Sequence, residues 1–94
     1  MIIAVDFDNT LCINGNANEQ LFNFLIQKQR EGVVIILDSC RTGKRLMEAV
    51  KFCREHRLAF NAVNQNIPAS IKMLGHDPRK IYADMYIDDK AVKP

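Results

Sequence analysis

The chain has 94 residues, enough for one domain and too few for two. Hydrophobic residues make up 48% and charged residues 26%, which fits a soluble globular protein and excludes a disordered or collagen-like chain. Thirteen Lys plus Arg against eleven Asp plus Glu leave a net charge of +2, too small a surplus to point to a nucleic-acid binder.

The basic residues are unevenly spread. Arg41, Lys44, Arg45, Lys51, Arg54 and Arg57 stand against only Glu48 and Glu55 in one stretch. That is the pattern of a solvated helix face, with weak support for an anionic ligand. Cys12, Cys40 and Cys53 form no Cys-x-x-Cys, and no basic leader precedes the first apolar run. This reads as a cytoplasmic protein with reduced thiols. No apolar run, 33–37 included, is long enough to span a bilayer, so no membrane partner is expected. His56 and His76 lack neighbours at zinc spacing.

Residues 2–7 form a short β-branched run ending in acid, the mark of a buried strand. Asn14, Gly15, Asn16 and Asn18 mark a loop. Asn18 caps a helix whose apolar face is Leu21, Phe22, Phe24, Leu25 and Ile26, and Gly32 ends it. Five consecutive aliphatics, 33–37, give the second strand. A run of that kind is buried on both faces, in a parallel sheet covered by helices. Thr42 and Gly43 open a second helix with Leu46, Ala49, Val50 and Cys53 at helical spacing. Residues 58–63 read as a third strand. Pro68 starts a third helix that ends at Gly75. Residues 81–87 contain a fourth strand, most securely Met85–Ile87. The alternation predicts a three-layer, doubly wound, Rossmann-like α/β fold with about four parallel strands, three helices and right-handed crossovers.

In such sheets ligands bind beyond the carboxyl ends of the strands. There the first strand presents Asp6, Asp8 and Thr10, and the second Asp38, Ser39, Cys40 and Arg41. The third presents Asn64, Gln65 and Asn66, and the fourth Asp88 and Asp89. Two carboxylates about 4 Å apart repel by about 4 kcal/mol at an effective dielectric of about 20. A hard cation relieves this, and Mg²⁺ with retained waters suits two or three carboxylates in an open site. Ser39, a lysine and backbone N–H groups would then bind phosphate oxygens.

Asp6-Phe7-Asp8-Asn9-Thr10 resembles the first motif of the haloacid dehalogenase-like hydrolase superfamily, Asp-x-Asp-x-Thr. Ile36-Leu37-Asp38-Ser39 resembles its second motif, and Tyr86-Ile87-Asp88-Asp89 its fourth. Order and strand context match along nearly the whole chain. The resemblance implies a Mg²⁺-dependent phosphatase. Asp6 would be the nucleophile, forming an aspartyl-phosphate, and Asp8 the general acid and then base. Thr10 would brace the turn between them. Asp6, the Asp8 carbonyl, Asp88 and Asp89 would hold Mg²⁺. Ser39 would donate to the phosphoryl group, with Cys40, Arg41 and Asn9 beside it.

The lysine of the third motif has two candidates. Lys72 lies in the third helix. Lys80 precedes the fourth strand in Lys-Ile-Tyr-Ala-Asp, like the Lys-x-x-Ala-Asp stretch of small members. An unbroken strand 81–88 would put Lys80 about 25 Å from the site, whereas a turn at Ala83 and Asp84 would bring it back. Asn9 stands where many members have Gly, and Asn accepts such backbone well. Only about eight residues separate Thr10 from the first helix, and only 64–67 follow the third strand, so the chain resembles a capless member. After Asp89 no further strand or helix is expected, which leaves a sheet edge short of cover and favours homo-oligomers.

Other phosphate chemistries fail on spacing. Six positions after Cys40 is Leu46 and after Cys12 is Asn18, so Cys-x₅-Arg is absent. Gly43-Lys44 lacks the earlier glycine of a P-loop, the position being Asp38. The first strand ends in aspartates, not the glycines of a dinucleotide site. A receiver domain would carry its phosphorylated Asp after the third strand, which ends without acid. The alternatives left are a non-catalytic domain that binds a phosphorylated ligand or partner, and a subunit whose site a partner protein completes. The substrate, small phosphomonoester or macromolecule, is not legible.

Overall fold

The computed structural model describes residues 1–89 and the backbone of 92–93. Strand β1 (Ile2–Val5) leads through a small hairpin, β2 (Cys12–Ile13) and β3 (Asn16–Ala17), into helix α1 (Glu19–Arg30). Then follow β4 (Val34–Leu37), α2 (Gly43–Glu55), β5 (Ala62–Val63), α3 (Pro68–Leu74), β6 (Met85–Ile87) and β7 (Val92–Lys93). The main sheet has the order β5-β4-β1-β6-β7. Its first four strands are parallel, with Ile3 opposite both Ile35 and Met85.

Burial on two sides explains the aliphatic runs. Ile3, Val5, Ile35 and Leu37 meet Phe22 and Leu25 of α1 and Ala49 and Cys53 of α2. The alternate residues Ala4 and Ile36 turn to the other face, where Ala62, Ile81 and Ile67 at the entry to α3 cover them. The doubly wound α/β fold is therefore present, and β1 lies at its centre. No described helix is long and apolar enough to cross a membrane.

The helix ends follow local chemistry. The Asn18 side chain accepts from the Leu21 N–H at 3.4 Å, satisfying one free donor of the first turn of α1. Gly75 closes α3 at φ +79°, a conformation that costs glycine little.

Four expectations need correction. Phe24, expected on the apolar face of α1, is exposed, because the buried face is centred on Phe22 and Leu25 and position 24 falls outside it. The expected third strand shrinks to Ala62–Val63. Leu58 is buried all the same, and its N–H bonds to the Cys53 carbonyl in the turn that ends α2. At Leu58 the apolar pattern thus reported burial, not pairing. The loop at 14–18 contains the β2–β3 hairpin, turned by Asn14 (φ +52°) and Gly15 (φ +80°). That Asn-Gly pair is a strong hairpin signal, because it accepts two left-handed residues in succession. Finally, β7 pairs antiparallel with β6 and covers the edge expected to be bare. Lys90, Ala91 and Pro94, which fall in the same expectation, lie outside the described residues.

Candidate active site

The sheet ladder runs one step past the strands and sets the spacing of the site. Asp6 N–H bonds to the Ile87 carbonyl (2.9 Å), Asp38 N–H to Val5 (2.9 Å) and Asn64 N–H to Leu37 (2.7 Å). The acids and the amide are thereby fixed along one edge.

The chain turns sharply after Asp6. The Phe7 carbonyl accepts from the N–H groups of Thr10, Leu11 and Cys12 at 3.0–3.2 Å. Asn9 takes φ +59°, as its position in the turn requires. Thr10 is buried, its Oγ1 is 3.5 Å from the Asp8 carbonyl, and its own carbonyl accepts from Asn18 Nδ2 at 3.0 Å. Thr10 thus lies inside the turn that follows Asp6 and ties it to the start of α1 through Asn18.

Asp6 is half-buried. Its Oδ1 accepts from the Phe7 N–H at 2.8 Å. Burial raises its carboxyl above the ordinary 3.8, the Phe7 bond opposes this, and the carboxylates of Asp8, Asp89 and Asp38 push it further up. Asp8 behaves oppositely. Arg41 grips it with two bonds, Nε to Oδ2 at 3.0 Å and Nη2 to Oδ1 at 2.8 Å. The Arg41 hydrogen bonds hold its carboxyl below the ordinary range despite some desolvation, and the charges of Arg41 and Arg45 add to this. The guanidinium also lies 4.8 Å from the Phe7 ring centre, and Nη1 donates to the Arg45 carbonyl at 3.3 Å.

Two clefts flank this edge. One, of about 230 Å³, is lined by Asp6, Asp38, Ser39, Cys40, Tyr86 and Asp88. The other, of about 370 Å³, is lined by residues that include Asn9, Thr10, Asn18, Gln20, Asp88 and Asp89. Asp88 and Ile87 are common to both. The smaller cleft is the one that holds Asp6, and chemistry rather than size makes it the candidate site.

Ser39 is positioned by the neighbouring strand. Its N–H donates to Asn64 Oδ1 at 2.7 Å, and its Oγ accepts from the Arg41 N–H at 3.1 Å. The Ser39 hydroxyl hydrogen is not engaged in that bond and can donate into the cleft.

The two lysines part company. Lys72 is exposed on α3 and lines neither cleft. Lys80 Nζ lies 4.9 Å from the centre of the Tyr86 ring, and Tyr86 lines the Asp6 cleft. The turn at Ala83 and Asp84 exists: Ile2 N–H donates to Asp84 Oδ2 at 2.7 Å, and Ala83 N–H to the Tyr86 hydroxyl at 3.1 Å.

Sequence reasoning placed Asn66 at the strand ends and gave it no task. It is buried and organises the approach to β6. Its Oδ1 accepts from Tyr82 N–H at 2.6 Å, and its Nδ2 donates to Asp77 Oδ1 (3.0 Å) and the Pro78 carbonyl (3.2 Å). The available signal was Asn-Gln-Asn-Ile-Pro, a polar cluster just before a proline-opened helix.

Among the described residues no group of three or more His, Cys, Asp or Glu is arranged to hold a metal ion. The donor chemistry nevertheless fits Mg²⁺, which keeps several waters and takes one or two carboxylates. Asp6 and Asp88 share a cleft, and Asp6 feels three other carboxylates. The Asp8 side chain, paired with Arg41, is not among those donors.

Fold and edge define a Rossmann-like α/β domain with an acidic site at the end of its central strand. Among solved structures the chain is similar to a conserved protein coded by a locus from Bacteroides thetaiotaomicron. The two are 36% identical, with a TM-score of 0.82, over 97% of this chain and 77% of that one. The chain belongs to the same family as that conserved protein. No protein-family model matches the chain, and no curated protein matches it.

Proposed function

We propose that this chain is a Mg²⁺-dependent phosphomonoester phosphatase that passes the phosphoryl group through Asp6. The observation that carries the reading is the half-buried Asp6 carboxylate at the end of the central strand, sharing a cleft with Ser39 and Asp88. Its resemblance to haloacid dehalogenase-like hydrolases supports the same roles.

The Phe7 N–H fixes the Asp6 carboxylate through Oδ1 and leaves Oδ2 to attack phosphorus. Arg41 must first leave Asp8 for the bound phosphate, so that the Asp8 carboxyl takes a proton from solvent. As the bond from phosphorus to the leaving oxygen breaks, Asp8 gives that oxygen the proton. Asp8 then takes a proton from the water that attacks the aspartyl-phosphate, freeing phosphate and Asp6. Ser39 and Lys80 bind and neutralise phosphoryl oxygens. Asp6, Asp88, Asp89 and the Asp8 carbonyl would hold Mg²⁺, whose chemistry is to offset repulsion between the nucleophile and the phosphate.

The 64–67 connection carries no inserted element, so the edge is open to a small or a macromolecular phosphorylated substrate. The free thiols of Cys12, Cys40 and Cys53 support a reducing, cytoplasmic setting.

One observation favours a second reading. The two-bond grip of Arg41 keeps Asp8 charged, as suits a non-catalytic domain that binds a phosphorylated ligand or partner. A panel of phosphomonoesters, with and without Mg²⁺, separates the two. The phosphatase reading expects hydrolysis that chelator and Asp6→Asn both abolish. Failure to hydrolyse any class, with phosphate still bound, supports the second.

A further inference from the structure

An apolar groove of about 600 Å³ runs along α2 beside the edge strand β5, away from Asp6. Leu46, Met47, Val50 and Val63 line it, and Lys44, Lys51 and Arg54 rim it against a single acid, Glu48. Met47 is 72% exposed, an unusual place for a large apolar side chain. From Lys44 to Arg54 the groove follows about 15 Å of helix, room for about three turns of a second helix.

We propose that this groove binds an acidic amphipathic helix of a partner protein. The apolar floor accepts the apolar stripe of such a helix, and an unbranched methionine adapts to it. The cationic rim pairs with acids flanking the stripe. A second copy docked face to face would set the cationic rims against each other. Nucleic acid also suits the groove poorly, because no aromatic ring lines it for bases to stack on. The proposal uses neither Asp6 nor its cleft, so it stands or falls apart from the phosphatase reading.

The test uses the whole chain and a labelled synthetic helix with leucines at i, i+3, i+4 and i+7 flanked by glutamates. Fluorescence anisotropy is read against the same peptide with lysines for glutamates, and against single-stranded DNA. Saturable binding of the acidic peptide is expected, with the lysine peptide about tenfold or more weaker. Raising salt from about 50 mM to about 500 mM should weaken the acidic peptide several-fold. Lys51→Glu with Arg54→Glu should reverse the preference, and Met47→Asp should weaken both peptides. All three positions are exposed, and thermal melts check that the variants stay folded. Amide chemical shifts should move along 44–54 and at 63. Equal binding of the two peptides, no binding of the acidic one, unaltered preference in the double variant, or tighter binding of DNA overturns the proposal.

Discussion

Replacing Asn66 by alanine tests how the fold carries a loop to the site. Asn66 is 6% exposed and makes three bonds of 2.6–3.2 Å to Tyr82, Asp77 and Pro78. Each such bond contributes about 1 kcal/mol net, and a buried N–H left without a partner costs about 1–3 kcal/mol. Alanine orphans the Tyr82 N–H, so the loss should be about 3 kcal/mol. For a chain this short that lowers Tm by about 15 °C. Thermal and urea unfolding measure it. Asn66→Asp keeps the acceptor for Tyr82 but loses the donor to Pro78 and sets a second carboxylate beside Asp77, so it should also destabilise. Because the same bonds hold the segment before β6, the alanine variant should lose turnover through misplacement of Lys80, with Asp6 untouched. A loss below about 1 kcal/mol would refute the reasoning and make the buried network incidental.

Other predictions follow from single contacts. Arg41 depresses the Asp8 carboxyl in the folded state, so the pair adds stability fully present above the ordinary 3.8 and lost as pH falls through the folded value. Denaturation across that range should find Arg41→Met less stable than the parent at neutral pH by less than about 1 kcal/mol, the two converging in acid. The Cys53 thiol is buried, and burial followed by the nearby Cys12 pushes it up to about 12. Iodoacetamide should therefore label exposed Cys40 in the native protein and Cys53 only on unfolding, as peptide mass mapping would show. Asn64 holds the Ser39 N–H from a left-handed backbone, φ +52°. Asn64→Ala and Asn64→Gly should weaken phosphate binding alike, by about tenfold for a lost positioning bond. Only alanine should add about 1 kcal/mol of backbone strain.

The central sheet was legible because apolar runs report burial directly. Residues 33–37 had to be covered on both faces, and Ile35 and Ile36 do face opposite layers. The strand-end acids were legible because a parallel sheet has one functional edge, and Asp6 and Asp88 do share a cleft. Leu58 misled because a buried turn residue has the same composition as a strand residue. The Asn14-Gly15 hairpin was missed by reading the cluster as generic loop chemistry, though two positive-φ residues in sequence specify a turn. The grip of Arg41 on Asp8 spans 33 positions, and no local pattern announces a pairing across such a distance. The tasks of Asn64 and Asn66 were hidden for the same reason: each spends its amide on a distant backbone group.

Trapping the covalent intermediate addresses the central claim most directly. The protein, mixed with Mg²⁺ and a reactive aryl phosphate, is quenched in acid and mapped by mass spectrometry. The account predicts a phosphoryl group on the peptide holding Asp6, converted by borohydride to homoserine at that position and absent from Asp6→Asn. Turnover with no label at Asp6, or turnover that survives Asp6→Asn, would contradict it.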